Sequence, residues 1–421
     1  MPPTIPASLI AIGSLLASPV AAQWQMLPLP MGVGRYDDIH FADPLHGWVV
    51  NGSGTIHHTT DGGDSWQLQA SQVGYLRSVL AIDPLKAFAG TLNGKLMRTL
   101  DGGAEWVNIA PLLPQPIPGI CGLTAPDPLT IVGCGIWNSP AFIIRSEDGG
   151  STWSHANMSA HASALVDIWF TDPMTGLACG RTPEADGGGV IIGTTDGGQT
   201  WTERHRTNQT GEYIWKLHTI DGQRWYASIV GNPALGNTRY AWSDDGGLTW
   251  SEGIVADFYS YIQLIGALTN DHVYTGGGSL LFESLDGGAS WGATVLGTEH
   301  NRFLWINDST AFISGNQVFR RGTPVNTSVP AAIEPPMHEL RVRPNPTGGM
   351  LQVEARLIRD TWLKVHVLGA DGRIVHRFFD GSATAGEHRW NTDLGHLAAQ
   401  LLHVVLDSNE GQRHVKVVLT R

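Results

Sequence analysis

The chain has 421 residues, of which 42% are hydrophobic and 15% charged, with a formal net charge of −12. That length suits two or three domains of roughly 100–200 residues each. The composition excludes a disordered chain, and the negative charge argues against nucleic acid or an anionic membrane as partner.

The 52 glycines and 16 tryptophans point to an all-β protein with many tight turns, because glycine supplies positive φ and tryptophan suits a pleated, half-buried surface. Residues 1–22 hold no charged side chain and an apolar middle from Leu9 to Leu16. Val20 and Ala22 meet the small-residue rule for cleavage, so a signal peptide is expected with Gln23 as the mature N-terminus. The segment departs from the usual pattern in lacking Lys or Arg before its apolar run. No other stretch approaches the roughly 18 apolar residues that a spanning helix needs. A soluble protein exported to the periplasm by the Sec route is expected, not an integral membrane protein.

One octapeptide then recurs six times: TTDGGDSW (59–66), TLDGGAEW (99–106), SEDGGSTW (146–153), TTDGGQTW (194–201), SDDGGLTW (243–250) and SLDGGASW (284–291). Its aspartates are Asp61, Asp101, Asp148, Asp196, Asp245 and Asp286, and its tryptophans Trp66, Trp106, Trp153, Trp201, Trp250 and Trp291. The aspartates stand 40, 47, 48, 49 and 41 residues apart, matching the roughly 40–50 residues of a four-stranded propeller blade. The octapeptide has the chemistry of a hairpin turn: Asp accepts from nearby amides, the glycines take dihedrals that other residues avoid, and Trp packs back between sheets. It resembles the Asp-box, or BNR, motif of sialidase-like and photosystem-II-assembly-factor-like propellers, which implies a structural turn lying away from the ligand face. A calcium loop would need further carboxylates that no copy carries.

Before each box the chain reads strand, turn, strand, as in DIHFADPLHGWVV and DIWFTDPMTGLAC. Ile262 to Thr275 and Phe303 to Ser314 repeat the scheme, giving seven hairpins for six boxes. The last repeat ends at NQVFRRG (316–322) without a box, and Trp24 to Leu27 resembles the strand after each box. A seven-bladed β-propeller over 23–322, closed by its N-terminal strand, is therefore expected, with six blades as the alternative; closure removes open sheet edges. Cys121, Cys134 and Cys179 match no zinc spacing. An unbulged hairpin centred near Asp127 sets Cys121 opposite Cys134, a candidate disulfide in an oxidising exterior, and leaves Cys179 free.

Pro, Thr, Ser and Ala dominate the linker at 323–339. Residues 340–421 then alternate as strands (LQVEARL, WLKVHVLG, RIVHRFF, HRWNTDL, LLHVVLD, RHVKVVLTR), which predicts a small β-sandwich. Arg343 to Gly348 (RPNPTG), Val367 to Arg373 (VLGADGR) and Lys416 to Val418 resemble the type A C-terminal sorting domain of type IX secretion cargo in Bacteroidota. The resemblance implies the type IX secretion machinery as a partner, passage through an outer-membrane translocon, removal of the domain, and release or attachment at the cell surface. The chain departs from the family at Gln400-Leu401-Leu402, where Gly, an aliphatic residue and Tyr are usual. A carbohydrate-binding or immunoglobulin-like module is the alternative.

In propellers the loops entering the innermost strands lie on the face that usually binds ligands. Here they deliver Arg35, Tyr36, Tyr75, Arg77, Tyr213, Trp215, Tyr259, Tyr261 and Arg302, while Trp137, Arg181, Glu184, Asp186 and Arg239 come from the loops between second and third strands. Aromatics with arginines at a channel mouth suit a glycan, a carboxylate or an acidic peptide; the plainer reading is that they cap the axis. A sialidase needs three convergent arginines, a Tyr–Glu nucleophile and an acid, and its usual Arg-Ile-Pro segment is absent. A xyloglucan-type endoglucanase needs two facing propellers. No HExxH, GxSxG or P-loop occurs. His57 and His58 point to opposite faces of a strand, so no metal site and no cofactor are expected. The reading is a monomeric, secreted or cell-surface, non-enzymatic propeller that binds a protein or glycan; an exported glycosidase of the sialidase superfamily is the alternative.

Overall fold

The computed structural model describes residues 24–31, 34–135, 140–307, 309–322, 339–344, 346–357, 360–369, 374–408 and 411–420. The chain divides into two compact units, Met1–Thr327 and Ser328–Arg421. The expected signal peptide, Trp137, most of the linker, Asn345 and the 370–373 turn lie outside the described residues.

The first unit holds seven four-stranded antiparallel sheets among its described residues. Sheet I comprises Tyr36–Phe41, Gly47–Asn51, Ile56–Thr59 and Gln67–Ala70. Sheets II to VI repeat this order, their first strands being Leu76–Ala81, Gly122–Thr124, Ala164–Phe170, Tyr213–Thr219 and Ile262–Ala267. Sheet VII takes three strands from the end of the unit, His300–Asn307, Thr310–Gly315 and Phe319–Arg321, and its fourth from the start, Trp24–Met26. The first strands are buried and abut one another from sheet I to sheet VII, and Tyr36–Phe41 also packs on His300–Asn307. The fourth strands are mostly exposed, as in Gln67–Ala70.

Two turn devices repeat around the unit. Between first and second strands an Asx turn forms: Asp43 Oδ1 accepts from the amides of Leu45 and His46 at 2.8 Å, and Asp83, Asp127, Asp172, Asp221 and Asn307 do the same in their sheets. Between third and fourth strands lies the octapeptide. In the first, Thr59 Oγ1 donates to Asp61 at 2.7 Å and accepts from Gly63 N at 2.9 Å, Ser65 N donates to Asp61 at 2.9 Å, and Trp66 Nε1 donates to Gly63 O at 3.1 Å. Gly62 and Gly63 have φ of +71° and +93°, left-handed values that explain the glycine pair. The two turns are stitched together, Gly62 N donating to Leu45 O at 3.0 Å, with an equivalent bond in each box-bearing sheet. Trp153 packs edge-on against Phe88 of sheet II, and Trp291 against Tyr240 of sheet V.

The cysteine register differs from the unbulged hairpin. Gly122, not Cys121, is the Cα partner of Cys134, while the Cys121 amide also donates to Cys134 O at 2.8 Å. Two residues thus face one, which is a β-bulge. All three cysteines are buried free thiols, so the Cys121–Cys134 bond is not formed.

In the second unit, Glu339–Arg343, Met350–Leu357 and Gly386–Asp393 form one sheet, and Ile374–Ala383, Thr361–Leu368, Gln400–Ser408 and Gly411–Leu419 another. Alternate residues of both, among them Val342, Leu351, Val353, Leu363, Val365, Leu402, Val404 and Val417, make a single core. This is sandwich packing, in which every second side chain turns inward.

Candidate ligand-binding site

The first strands of the Met1–Thr327 unit all start at one end of the axis, and near those starts nearly every one is bulged. The register skips between Tyr36 and Asp38, Leu76 and Ser78, Leu165 and Asp167, Ile214 and Leu217, Ile262 and Leu264, and His300 and Arg302. Bulges re-aim side chains. The residues they release include Asp37, Arg77, Lys216, Gln263 and Asn301, which with Cys121 are at most 1% exposed.

At the mouth Asp37 sits between two guanidiniums, Arg77 at 2.5 Å and Arg35 at 2.5 Å. Arg35 also donates to Gln263 at 2.9 Å and to Glu299 at 2.8 Å. Burial works against the Arg35 charge, but Asp37 and Glu299 more than offset it and raise its pKa. Gln263 Nε2 donates to the Tyr261 hydroxyl. Arg77 lies 5.4 Å from the Trp215 ring centroid, Trp215 meets Tyr213 edge-on at 5.8 Å, and Arg181 lies 5.7 Å from the Tyr213 ring. Arg239 bridges Glu212 and Glu252. Tyr75 and Tyr261 are the open members, 41% and 37% exposed. Burial chiefly raises the pKa of both hydroxyls, which stay protonated donors at neutral pH.

Six of the nine residues expected from the loops entering the first strands (Arg35, Tyr75, Arg77, Tyr213, Trp215 and Tyr261) thus gather at one mouth. Tyr36 does not join them: strand alternation turns it between sheets, where it is 1% exposed and donates to Pro30 O at 2.8 Å. Arg302 lies deeper and spans the axis from sheet VII, reaching Asp38 of sheet I at 2.7 Å and Asp167 of sheet IV at 2.9 Å. Those carboxylates are pinned in turn, Asp38 Oδ2 accepting from Val79 N and Asp167 Oδ2 from Leu217 N, both at 3.0 Å. Lys216 stands 3.7 Å from Asp167, and burial pushes its ammonium down to about 8. Arg302 is therefore locked between carboxylates, away from Arg35 and Arg77, and the three do not face a common point as a sialidase carboxylate clamp would require.

No motif in the sequence marks Asp37, Gln263 or Glu299. The available signal was position alone: like Arg77, Asp37 and Gln263 fall at the skipped residue near the start of a first strand.

A family model described as photosynthesis system II assembly factor YCF48 matches residues 16–125. The photosystem II assembly lipoprotein Ycf48 of Synechococcus sp. (strain CC9902) is 24% identical over 306 residues, covering 66% of this chain and 82% of that protein. The solved structure of YCF48 bound to D1 peptide superposes with a TM-score of 0.56 at 20% identity, over 72% of this chain and 97% of that one. A GH74 xyloglucanase from Xanthomonas campestris superposes with a TM-score of 0.54 at 10% identity, over 95% of this chain and 74% of that one. Sequence relatives and superpositions agree on one architecture: the Met1–Thr327 unit has the fold of a BNR-repeat β-propeller, similar to the photosystem II assembly factors.

Proposed function

We propose that this chain is a non-enzymatic, seven-bladed propeller, closed by its N-terminal strand, that binds an extended segment of a protein partner across the Arg35–Tyr75–Arg77–Tyr261 mouth. The observation that carries the reading is the pairing of open tyrosines with held guanidiniums at one end of the axis. Rigid aromatics supply contact area at low entropic cost and the arginines select an acidic residue. A similar propeller was solved with a D1 peptide, which favours a peptide over a glycan. Probing a peptide array and a glycan array with the full chain tests this: acidic peptides are expected to bind, and capture of glycans alone would refute it.

The wider setting we propose is export. Residues 1–22 act as a signal peptide, and the Ser328–Arg421 unit serves as a type IX sorting domain that delivers the propeller to the cell exterior. The RPNPTG and VLGADGR segments support that reading. Intact-mass analysis of the exported product should give a chain starting at Gln23 and ending within 322–340. A surface product that retains Arg421 would contradict it.

A further inference from the structure

A recess of the Met1–Thr327 unit lies at the opposite end of the axis, where the first strands finish. A cavity of about 710 Å³ opens there, within the roughly 300–1,000 Å³ usual for ligand pockets. Arg302 and Asp38 are at its floor, and Trp169, Ile220 and Trp305 line its walls. The charged lining is lopsided: Asp38, Asp127 and Asp221 face Arg302 alone, and Arg302 is already held by Asp38 and Asp167.

Burial opposes the Asp127 and Asp221 charges, but turn amides, and for Asp221 the Asn270 side chain, outweigh it and lower both pKa values. The rim is thus anionic at any ordinary pH. Arg145 is engaged by Glu147 and Pro173 O and Arg224 by Asp244 and Gly287 O, while Lys86 lies 5.8 Å from the Phe88 ring centroid. Beside the cavity the turns of sheets II, III and IV expose Leu85 (59%), Leu129 (59%) and Met174 (49%). Such positions are ordinarily polar, and here an apolar side chain recurs at the same turn position in three neighbouring sheets. That arc extends beyond the cavity, so a ligand covering both is longer than one side chain.

We propose that this end of the axis is a second docking surface, taking a cationic polypeptide segment whose aromatic or aliphatic side chain enters the cavity while its lysines or arginines meet Asp127 and Asp221. The Arg302 bridge separates it from the mouth, so the two surfaces can be occupied independently.

The probe is a fluorescein-labelled peptide of lysines and leucines with one central tryptophan, titrated into the full chain and followed by anisotropy. Saturable binding is expected, weakened about tenfold by L85K/L129K and again as salt rises through the screening range. Both leucines are exposed, so the variant should keep the parent's thermal midpoint. Tyr75→Ala/Tyr261→Ala at the mouth should leave the affinity unchanged. Hydrogen exchange should slow at 79–82, 124–128 and 219–222 on peptide addition, a readout that does not depend on the variant folding. Equal binding of a peptide with glutamates in place of lysines, an unchanged affinity in L85K/L129K, protection confined to the mouth, or self-association of the chain through this face would each overturn the proposal.

Discussion

At the residue scale, the axis is organised by a few buried ions whose cost is met by pairing. Arg302 is the clearest case, since one guanidinium satisfies Asp38 of sheet I and Asp167 of sheet IV. Removing one partner of a buried pair leaves an uncompensated charge, at a cost of about 3–5 kcal/mol. Arg302→Leu should therefore lower the thermal midpoint by several degrees, measured by calorimetry, whereas loss of an exposed pair such as Arg206–Glu203 should shift it little. The histidines set the pH response. Burial holds His40 and His218 down at about 4, below the ordinary 6.5. Between those values the unfolded chain takes up protons that the folded chain does not, so stability falls as pH drops from about 6.5 to about 4. Chemical denaturation across that range should show the slope, and His218→Gln should flatten it by one proton; an unchanged slope would mean that His218 is protonated in the fold.

At the element scale, the repeats were legible because each is written in turn chemistry. Six Asp-boxes and the Asp-Pro turns fixed the hairpins, and the strands fall where Thr59, Asp61 and Trp66 and their equivalents imply. The bulges were not legible. Nothing local separates Asp37 or Gln263 from an ordinary strand residue, because the bulge is set by how the first strands crowd against one another. That is why Cys121 stands one residue away from direct opposition to Cys134, and why no sequence pattern marks Asp37 beside Arg35. Tyr36 and Arg302 show the converse: residue type suggests a mouth, but strand alternation turns Tyr36 between sheets and Arg302 lies deeper, between Asp38 and Asp167. The Trp24–Met26 strand is the element whose role is most exposed to test. Trp24 is 6% exposed and meets Tyr274 and Phe303 edge-on at 5.5 and 6.3 Å, and the Leu27 amide donates to Val318 O at 2.8 Å. Deleting Trp24–Leu29 strips sheet VII of its outer strand and bares Tyr274 and Phe303. The truncated chain should lose its cooperative thermal transition or melt far lower; an unchanged midpoint would show that the ring does not depend on this strand.

At the scale of the whole molecule, the two ends of the axis differ in chemistry. The mouth gathers Arg35, Arg77 and open tyrosines, whereas the far end gathers turn aspartates and exposed leucines. This polarity follows from the chain path, since both families of Asp-rich turn fall where first and third strands finish, leaving the other end free for longer, varied loops. The central claim is that the mouth grips a protein segment, and calorimetric titration of the strongest acidic array peptide into the full chain tests it most directly. The parent chain should bind it saturably, and Tyr75→Ala/Tyr261→Ala, which removes the two open rings and keeps the Arg35, Asp37 and Arg77 side chains, should weaken it by at least about tenfold. An affinity that the double variant leaves unchanged would contradict the account.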